Sequence, residues 1–592
     1  MRGSKLVIDF LVDRGCDTFF LITGGAIVPT VDYLGEKKDI RYFCFQHEQS
    51  AGMAAEAYFR VTGKIPVVLV TSGPGAQNLL NAVCGCWFES IPCVFITGQV
   101  STYESCDSLC SENLPRQVGF QETSVVNIFR EFTKYCSKVF KKVELLPSLK
   151  EGYFKMLEGR YGPILIDLPV DIQTSEILET SFTDTSLKKE KAPDLDLDQF
   201  KKLFKDSKNP LILIGNGVRL SNAIPEVKNF IEKYKIPFVV SWGGFDLLPH
   251  DHPQFVGDIG VYGKRSANFV VQNCDLLLVL GSRLDTRQTG GTPSSFARSA
   301  KKIVVDIDEG EIFKDRGITV DVPIVSDIKL FLQQVSEFTL SSSLENRWVS
   351  WIRERKSLNY DPRSSKDKLD SYVFLDTLNE VLPQDGIIIP DEGGNLIWSM
   401  QSIKVKGEQR IFSNFGNSSM GYALPASIGA SIGSNRPIIC IDGDGGFQMN
   451  LQELQTVVHY NLPIKIFILN NNCYGIIKQF QDSYFGGRYT ATEGKDYSAP
   501  NFSEIAKAYG LKTEVLDIKS DISSKLQDIL NYDGPVLCEV LIDKDQKLIP
   551  KLEFGRPLED MSPYLSEEDL HSNMMVPCLE RLSPDQGWVD LK

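Results

Sequence analysis

The chain has 592 residues, and 63 Lys and Arg against 77 Asp and Glu give a formal net charge of −14. Hydrophobic residues make up 42% and charged residues 24%, which is typical of globular domains. An acidic chain without a basic block argues against a nucleic acid or an anionic membrane surface as the main partner. Asp9, Asp13 and Arg14 stand where a signal peptide has its apolar core, and no apolar run has the length of a membrane span. We therefore expect a cytoplasmic protein.

Short apolar strands alternate with Gly-containing turns and amphipathic helices along most of the chain. Strands are predicted at Val67–Val70, Leu211–Ile214 and Leu276–Leu280, for example. Strands that alternate with helices predict parallel sheets with helices on both faces. Residues 183–200 and 359–371 are polar, contain Pro and are typical of linkers.

These breaks divide the chain into units of domain size. We predict an α/β protein with three doubly wound parallel-sheet domains, at residues 1–180, 195–345 and 370–545. Residues 546–592 are expected to form a C-terminal tail.

The sharpest chemical signal lies in the third domain. Its predicted order is strand, Gly-rich loop, helix, strand and a pair of asparagines: Pro437–Ile441, Gly443-Asp444-Gly445-Gly446, Asn450–Tyr460, Ile464–Leu469 and Asn470-Asn471. Such a loop lets backbone N–H groups approach a phosphate. Asp444 and Asn471 follow two strands at the same sheet edge, and two such oxygen ligands can hold Mg²⁺ against a diphosphate. A Gly-Asp-Gly turn alone is a weak signal, but the joint pattern is strong.

With this motif the chain resembles the thiamine diphosphate (ThDP) enzymes, whose fingerprint is Gly-Asp-Gly followed, one helix and one strand later, by Asn-Asn. The resemblance narrows to the acetolactate synthase-like branch through residues 45–83, FQHEQSAGMAAEAYFRVTGKIPVVLVTSGPGAQNLLNAV. Further matches are Gly24-Gly25-Ala26, Ile96–Val100, Phe120-Gln121-Glu122, Gly162–Gln173 and Met420–Ala426.

The resemblance implies a carboligase that uses ThDP and Mg²⁺. It would decarboxylate a 2-oxo acid, most simply pyruvate, and transfer the two-carbon unit to a second carbonyl. Alternatives are transfer to a nucleotide-linked keto-sugar, another ThDP lyase or oxidase, and a non-catalytic paralogue. Sites in this family lie between subunits, so we expect a homodimer or homotetramer with residues 49–59 and 71–83 near the interface.

The resemblance also implies roles for individual residues. Glu48, Gln121 and Gly25 would be catalytic, with a buried Glu48 hydrogen-bonded to the cofactor's pyrimidine ring. The alternatives are an acid in the first turn of a helix for Glu48, a surface turn for Gln121 and core filling for Met420. Contacts to ThDP are implied for Asn395, Met420, Gly443, Asp444, Gly445, Gly446, Asn471, Gly475 and Ile476. The implied metal ligands are Asp444, Asn471 and the backbone carbonyl of Cys473.

The second domain has strand ends followed by Gly turns or acids where this branch binds FAD. These positions are Gly215, Gly217, Ser241, Gly263, Gly281, Arg283, Asp285, Arg287, Asp306 and Asp308. Each position is a weak signal alone, because any Rossmann-like fold has such strand ends. The family's FAD is mainly structural, so its presence would not imply a redox reaction.

Several residues depart from the branch pattern and leave the acceptor open. Asn395 stands where acetolactate synthases have a His, Phe480 replaces a Trp that helps choose the acceptor, and Val170 replaces a Lys. The tail segment at residues 549–565 resembles relatives associated with cell-surface polysaccharide pathways. Arg287 matches an arginine that holds the acceptor's carboxylate, which favours a 2-oxo acid. Arg287 and Phe480 are therefore the implied substrate residues.

Overall fold

The computed structural model describes residues 1–109, 113–178, 195–337, 346–363 and 367–579. Eighteen strands within these residues form three six-stranded sheets, and every paired strand is parallel to its neighbours. The predicted α/β class with three parallel sheets is confirmed. Residues 183–194 and 364–366 of the predicted linkers lie outside the described residues, and the domain boundaries stay predictions.

The first sheet is built from strands in the order β2-β1-β3-β4-β6-β5. Its strands are β1 (Thr18–Leu21), β2 (Arg41–Cys44), β3 (Val67–Val70), β4 (Val94–Gln99), β5 (Tyr135–Lys138) and β6 (Ile164–Pro169). Its helices are α1 (Gly3–Val12), α2 (Val28–Glu36), α3 (Glu48–Thr62), α4 (Pro74–Gln77), α5 (Leu80–Glu89), α6 (Val125–Phe129), α7 (Leu145–Leu157) and α8 (Val170–Thr174).

The second sheet has the order β12-β11-β10-β7-β8-β9, the order of a dinucleotide-binding fold. Its strands are β7 (Pro210–Ile214), β8 (Phe238–Val240), β9 (Phe255–Asp258), β10 (Leu276–Leu280), β11 (Lys301–Asp306) and β12 (Val322–Val325). Its helices are α9 (Asp198–Asp206), α10 (Gly217–Leu220), α11 (Ile224–Tyr234), α12 (Arg265–Asn273), α13 (Thr286–Thr289), α14 (Glu309–Phe313), α15 (Ile328–Ser336) and α16 (Asn346–Arg355).

The third sheet, β14-β13-β15-β16-β18-β17, repeats the connectivity of the first. Its strands are β13 (Ile387–Pro390), β14 (Arg410–Ile411), β15 (Ile438–Gly443), β16 (Lys465–Asn470), β17 (Lys512–Leu516) and β18 (Val536–Leu541). Its helices are α17 (Ser371–Val381), α18 (Gly394–Ser402), α19 (Ala423–Gly433), α20 (Asp444–Phe447), α21 (Leu454–His459), α22 (Gly475–Tyr484), α23 (Phe502–Tyr509) and α24 (Ile522–Asn531), with α25 (Glu567–Ser572) in the tail.

Short 3₁₀ helices connect several of these elements. They lie at Thr102–Glu104, Cys106–Ser108, Arg130–Phe132, Lys142–Glu144, Trp242–Gly244, Pro293–Ser295, Lys356–Leu358, Leu451–Glu453 and Gly494–Asp496. No helix in the described ranges is long and apolar enough to cross a membrane.

The predicted helix Asn450–Tyr460 is wrong in its first turn. The structure has a 3₁₀ turn there and begins α21 at Leu454. Asn450 instead uses its side chain for tertiary contacts, since its Oδ1 accepts from Ser50 Oγ at 3.1 Å and its Nδ2 donates to Gly421 O at 2.7 Å. Asparagine side chains that bond elsewhere compete with helix formation.

The tail packs on the second sheet's unit. Leu552, Leu558 and Met561 belong to the hydrophobic core between β7, β10 and α12. Glu559 accepts from Gln272 Nε2 at 2.5 Å and pairs with Arg298 at 2.9 Å. Leu552, Leu558 and Met561 therefore extend the core of that unit, whereas Gln546 and Leu548 are hydrogen-bonded to Ser371 and Gln479 of the third unit. Residues 580–592 are outside the described part.

Helices α3 and α19 join the first and third units at very short range. Ala51 through Tyr58 are buried, and one core cluster includes residues of both helices. A methyl group added to Gly429 would lie 1.9 Å from the carbonyl oxygen of Ala54, so only glycine fits this crossing. The small residues of α3 thus serve packing within the chain, and the expected interface near residues 49–59 and 71–83 stays a prediction.

We expect Gly429→Ala to destabilise the protein by about 1–3 kcal/mol, because overpacking forces the two backbones apart. Thermal unfolding is the measurement. Gly35→Ala in α2 is the matched control, since a methyl group there meets no atom within 4 Å. An unchanged or raised melting temperature for Gly429→Ala would show that the crossing adapts freely.

Candidate active site

The carboxyl ends of four adjacent strands of the third sheet, β14, β13, β15 and β16, carry the predicted diphosphate residues. Asp444 begins α20 directly after β15, and Asn471 follows β16. Both side chains are buried, with 2% and 7% exposure. The tyrosine hydroxyl of Tyr497 donates to Asp444 Oδ2 at 2.8 Å. Burial raises the pKa of Asp444 to about 6, and the Tyr497 hydrogen bond opposes that rise.

The glycine loop packs too closely for side chains. A methyl group on Gly446 would lie 2.2 Å from Asp391 Oδ2, and one on Gly445 would lie 2.4 Å from the ring of Tyr474. Asp391, which follows β13, accepts from the backbone amides of Gly421 at 2.9 Å and Ala423 at 3.0 Å. It therefore ties the glycine loop to the start of α19.

Asp391 and Asp442 form a buried carboxyl pair behind this loop. Burial raises the pKa of Asp391 to about 6. Burial and then the charge of Asp391 raise the pKa of Asp442 further above its ordinary value. Burial and the neighbouring carboxyl charge therefore favour the protonated form of Asp442.

The turn after β16 is held by local hydrogen bonds. Asn471 Oδ1 accepts from Cys473 N at 3.2 Å, and Gly475 N donates to the Cys473 carbonyl at 3.0 Å. A methyl group on Gly475 would lie 2.7 Å from Asn471 Nδ2. Ile476 follows in the first turn of α22 and packs on the core. Asn471, Cys473 and Gly475 are thus brought together as predicted.

Asn395 lies inside the same strand-end cluster. Its Nδ2 donates to Asp391 O at 2.8 Å, and its Oδ1 lies beside Gly443. Met420 is half-buried and stands between Ser419, which is hydrogen-bonded to Asn81 Oδ1 at 2.6 Å, and Gly421, which is held by Asp391. Met420 therefore projects from a segment that is fixed at both ends, and its side chain is not part of the buried core.

The predicted residues of the first unit lie at the carboxyl-terminal edge of its sheet, as those of the third unit do. Gly25, Glu48 and Gln121 lie in segments that follow β1, β2 and β4, which are close neighbours in the sheet. Gln121 has φ +64° and packs on Gly73, where α4 begins. Glu48 Oε2 accepts from Asn78 Nδ2 at 2.9 Å. Glu48 is only half-buried, so the predicted full burial is wrong for the single chain.

Within the single chain, Glu48 does not contact the glycine loop. Its described hydrogen bond goes to Asn78 of its own unit. The neighbouring Gln46 N donates instead to Glu453 of the third unit at 3.2 Å. The two predicted halves of the site are therefore each assembled, but no described contact joins Glu48 to Asp444.

A cavity of about 490 Å³ opens where the three units meet. Its aromatic wall is formed by Trp242, Tyr262 and Phe415, with Trp242 and Tyr262 stacked at 6.4 Å between ring centroids. Arg287 lies over the Trp242 ring at 5.2 Å. Of the predicted second-domain positions, the lining includes Gly217, Ser241, Gly281, Arg283, Asp285, Arg287 and Asp306.

Gly215, Gly263 and Asp308 lie outside that lining. Gly215 supports it from behind, since a methyl group there would lie 2.2 Å from Gly281 O at the ends of β7 and β10. Asp308 is used elsewhere: its carboxylate pairs with Arg160 at 3.0 Å and caps α14 through Gly310 N at 2.9 Å. Seven of the ten predicted positions therefore line the cavity, and the other three do not.

Phe480, a residue of α22, lies in a cluster of aromatic side chains. Its ring centroid is 4.8 Å from Tyr484, 5.7 Å from Phe485 and 5.6 Å from Phe554 of the tail. Phe485 and Phe554 remain exposed. No local pattern indicates this tail contact, or the roles of Tyr497, Asp391 and Asn78, because each depends on tertiary proximity.

Three family models match the chain in order. They are the N-terminal thiamine pyrophosphate (TPP) binding domain at residues 1–127, the central domain at residues 197–335 and the C-terminal TPP binding domain at residues 391–540, all of thiamine pyrophosphate enzymes.

Full-length relatives agree with these matches. The acetolactate synthase large subunit of Lactococcus lactis is 32% identical over 94% of this chain and 96% of its own. The acetolactate synthase isozyme 2 large subunit of Escherichia coli is 33% identical over 96% of this chain and 100% of its own. A probable acetolactate synthase large subunit of Methanocaldococcus jannaschii is 32% identical over 93% of each chain.

We expect Asn81→Ala to loosen the segment that carries Met420. Asn81 Oδ1 accepts from Asn417 Nδ2 at 2.7 Å and from Ser419 Oγ at 2.6 Å, and both bonds would be lost. Two such bonds contribute about 1–3 kcal/mol together. Hydrogen exchange of residues 414–420 should accelerate by about 5- to 100-fold, while Asn127→Ala, which removes a bond at the surface, should leave it unchanged. Equal exchange in both variants would contradict this anchoring.

Proposed function

The chain belongs to the thiamine pyrophosphate enzyme family, and from that premise we propose that its carboligase reaction takes pyruvate as donor and a second 2-oxo acid as acceptor. The observation that supports a working ThDP site is the pairing of two buried oxygen donors, on Asp444 and Asn471, with a glycine loop too tight for side chains. The 2-oxo acid acceptor is supported by Arg287 in the cavity wall. A non-catalytic paralogue would have no physical need for such buried donors.

The donor set fits Mg²⁺ and a diphosphate. Asp444, Asn471 and the Cys473 carbonyl offer the hard oxygen ligands that Mg²⁺ prefers, and phosphate oxygens would complete its shell. The amide of Gly446 would face phosphate oxygens, while that of Gly443 donates to Asp442 Oδ1 at 2.8 Å. A bound cation would hold the Asp444 carboxyl deprotonated against the effect of burial.

The remaining residues would act on the organic part of the cofactor. ThDP, when bound, supplies a carbanion nucleophile that the protein's own side chains cannot provide. Glu48 would share a proton with a nitrogen of the pyrimidine ring, and Met420 would press the cofactor into its bent shape. Gln121 and Gly25 would face the reacting carbonyl group. Asn395 would position the glycine loop from behind.

FAD would occupy the cavity between the three units. A volume of about 490 Å³ suits a large cofactor, and the cavity lies at the point where strand order reverses, between β7 and β10. Trp242 and Tyr262 would flank a ring system, and Asp306 at the end of β11 can accept from ribose hydroxyl groups. A flavin absorbance spectrum of the purified protein tests this assignment.

Assembly would complete the site. Glu48 is half-exposed and has no described contact with Asp444, so a second copy that brings its glycine loop to Glu48 would explain both facts. The loop around Gln121 exposes Tyr103, Leu114 and Phe120, the last to 85%. Such apolar exposure next to a half-site favours a homodimer or a dimer of dimers.

A nucleotide-linked keto-sugar is the second candidate acceptor. The observation that favours it is the exposed aromatic cluster of Phe480, Phe485 and Phe554, which offers flat faces to a sugar ring. Product analysis with each acceptor separates the two candidates.

We expect the purified protein to release CO₂ from pyruvate and to form acetolactate when ThDP and Mg²⁺ are present. Glu48→Gln should lower this turnover by at least about 10²-fold, because the amide cannot exchange the proton that a general acid–base group must carry. Glu36→Gln on the exposed end of α2 is the control. Absence of CO₂ release from the unmodified protein would overturn the proposed donor, and a fully active Glu48→Gln would overturn the residue's role.

We expect mixed subunits to recover activity if the sites are shared. Asp444→Ala should lose Mg²⁺-dependent ThDP binding in titration calorimetry, and Glu48→Gln should be inactive. A heterodimer of the two would hold one intact site and one doubly altered site, so activity should return in part. No recovery despite proven subunit exchange, or full activity of a monomer, would contradict the shared site.

A further inference from the structure

Tyr497 lies in the loop between α22 and α23, and its hydroxyl group reaches the predicted metal ligand Asp444. It donates to Asp444 Oδ2 at 2.8 Å and is the only side chain in the described part of the chain that hydrogen-bonds this carboxyl group. Asp444 is 2% exposed, whereas Tyr497 is half-buried. One oxygen of the predicted ligand is therefore already engaged by the protein.

The loop is bound to the turn after β16 on both sides of that tyrosine. Before it, the carbonyl oxygen of Thr492 accepts from Tyr474 N at 3.0 Å. After it, Ala499 N donates to Asn472 Oδ1 at 3.2 Å. The same turn begins with Asn471, the second predicted metal ligand. The loop and both predicted ligands therefore belong to one connected structure.

Aromatic packing places the ring of Tyr497 independently of its hydroxyl group. The ring lies edge-on to that of Tyr474, with 4.6 Å between the centroids and 64° between the planes. Tyr474 in turn lies against the glycine loop, since a methyl group on Gly445 would be 2.4 Å from its ring. The hydroxyl group thus adds a directed bond to a ring that is already packed, and its removal should leave the ring in place.

A carboxylate that is held in this way by one oxygen offers its other oxygen to a cation. Mg²⁺ is small, requires a near-octahedral shell and uses few carboxylate ligands. Ca²⁺ is larger, takes more oxygen ligands and binds a carboxylate through one oxygen or through both. A hydrogen bond to Asp444 Oδ2 therefore removes a binding mode that Ca²⁺ can use and that Mg²⁺ does not need.

We propose that Tyr497 is a positioning residue of the metal site and makes that site selective for Mg²⁺ over Ca²⁺. Its hydroxyl group fixes the orientation of the Asp444 side chain and engages Oδ2, so that the carboxylate meets the cation through one oxygen. Hydrogen bonds to a ligating carboxylate strengthen metal binding, and the loss of one typically costs about 10- to 100-fold in affinity. This inference rests on the proposed function, because it takes Asp444 as a ligand of the cation that accompanies ThDP.

The test is calorimetric titration with ThDP at increasing concentrations of either Mg²⁺ or Ca²⁺. Tyr497→Phe keeps the ring and removes only the hydroxyl group. The Mg²⁺ concentration that half-saturates ThDP binding should rise by about 10- to 100-fold. The corresponding Ca²⁺ concentration should rise much less, because the freed Oδ2 gives Ca²⁺ a second bond. The preference for Mg²⁺ over Ca²⁺ should therefore become smaller in the variant.

Tyr489→Phe is the matched control in the same loop. The Tyr489 hydroxyl group donates to Asp482 Oδ1 at 2.5 Å, so this variant also loses a bond between a tyrosine and a carboxylate, but one that does not involve Asp444. Half-saturation by either cation should be unchanged in this control. Thermal unfolding of both variants without cation and cofactor shows that each is folded, and it separates a loss of stability from a loss of selectivity.

Two results would overturn the proposal. An equal rise for both cations in Tyr497→Phe would mean that the tyrosine only supports the loop, and an unchanged half-saturation by Mg²⁺ would mean that its hydroxyl group does not influence the site. Failure of the proposed function has a different signature, since the unmodified protein would then bind no ThDP with either cation or release no CO₂ from pyruvate.

Discussion

One buried carboxyl group, that of Asp391, holds the third unit's half of the site together. It accepts from the amides that flank Tyr422 and leaves room for the glycine loop only because Gly446 has no side chain. Burial and the charge of Asp391 favour the protonated form of the neighbouring Asp442, which limits the charge buried at this point. The strand end, the glycine loop and the start of α19 therefore have one common anchor, and a shift in any of them must move the others.

Helix α19, whose first residue is bonded to Asp391, also contacts the first unit. The crossing of α3 and α19 at Gly429 and Ala54 brings two backbones into contact. The segment before Met420 adds polar links, because Gly416 N donates to Glu89 Oε1 at 2.6 Å and Asn414 Nδ2 donates to Glu56 Oε2 at 3.2 Å. The position of Met420 is consequently set by both units, and the third sheet alone could not fix it.

Local sequence was enough to predict the scaffold and the strand-end positions of Asp444 and Asn471. Val67–Val70 and Leu276–Leu280 are observed as predicted, since continuous apolar runs between glycine turns form buried parallel strands. Asp444 and Asn471 were found because strand ends fix their place. Tertiary contacts decided the rest: Asn450 bonds to Ser50 of the first unit instead of starting a helix, and α3 is buried by α19. Tyr497 gave no signal, because nothing in its neighbours along the chain reveals its contact with Asp444.

Two buried charges of this fold are each paired with two partners. Arg60 pairs with Glu56 at 2.7 Å and with Glu89 at 3.0 Å, and Asp246 pairs with Arg410 at 2.6 Å and with Arg219 at 2.7 Å. Pairing of this kind offsets the desolvation that buried charges otherwise suffer. By contrast, Oε1 of Glu392 and Nη1 of Arg287 are buried without a hydrogen-bond partner among the described residues. Each such unmade bond costs about 1–3 kcal/mol.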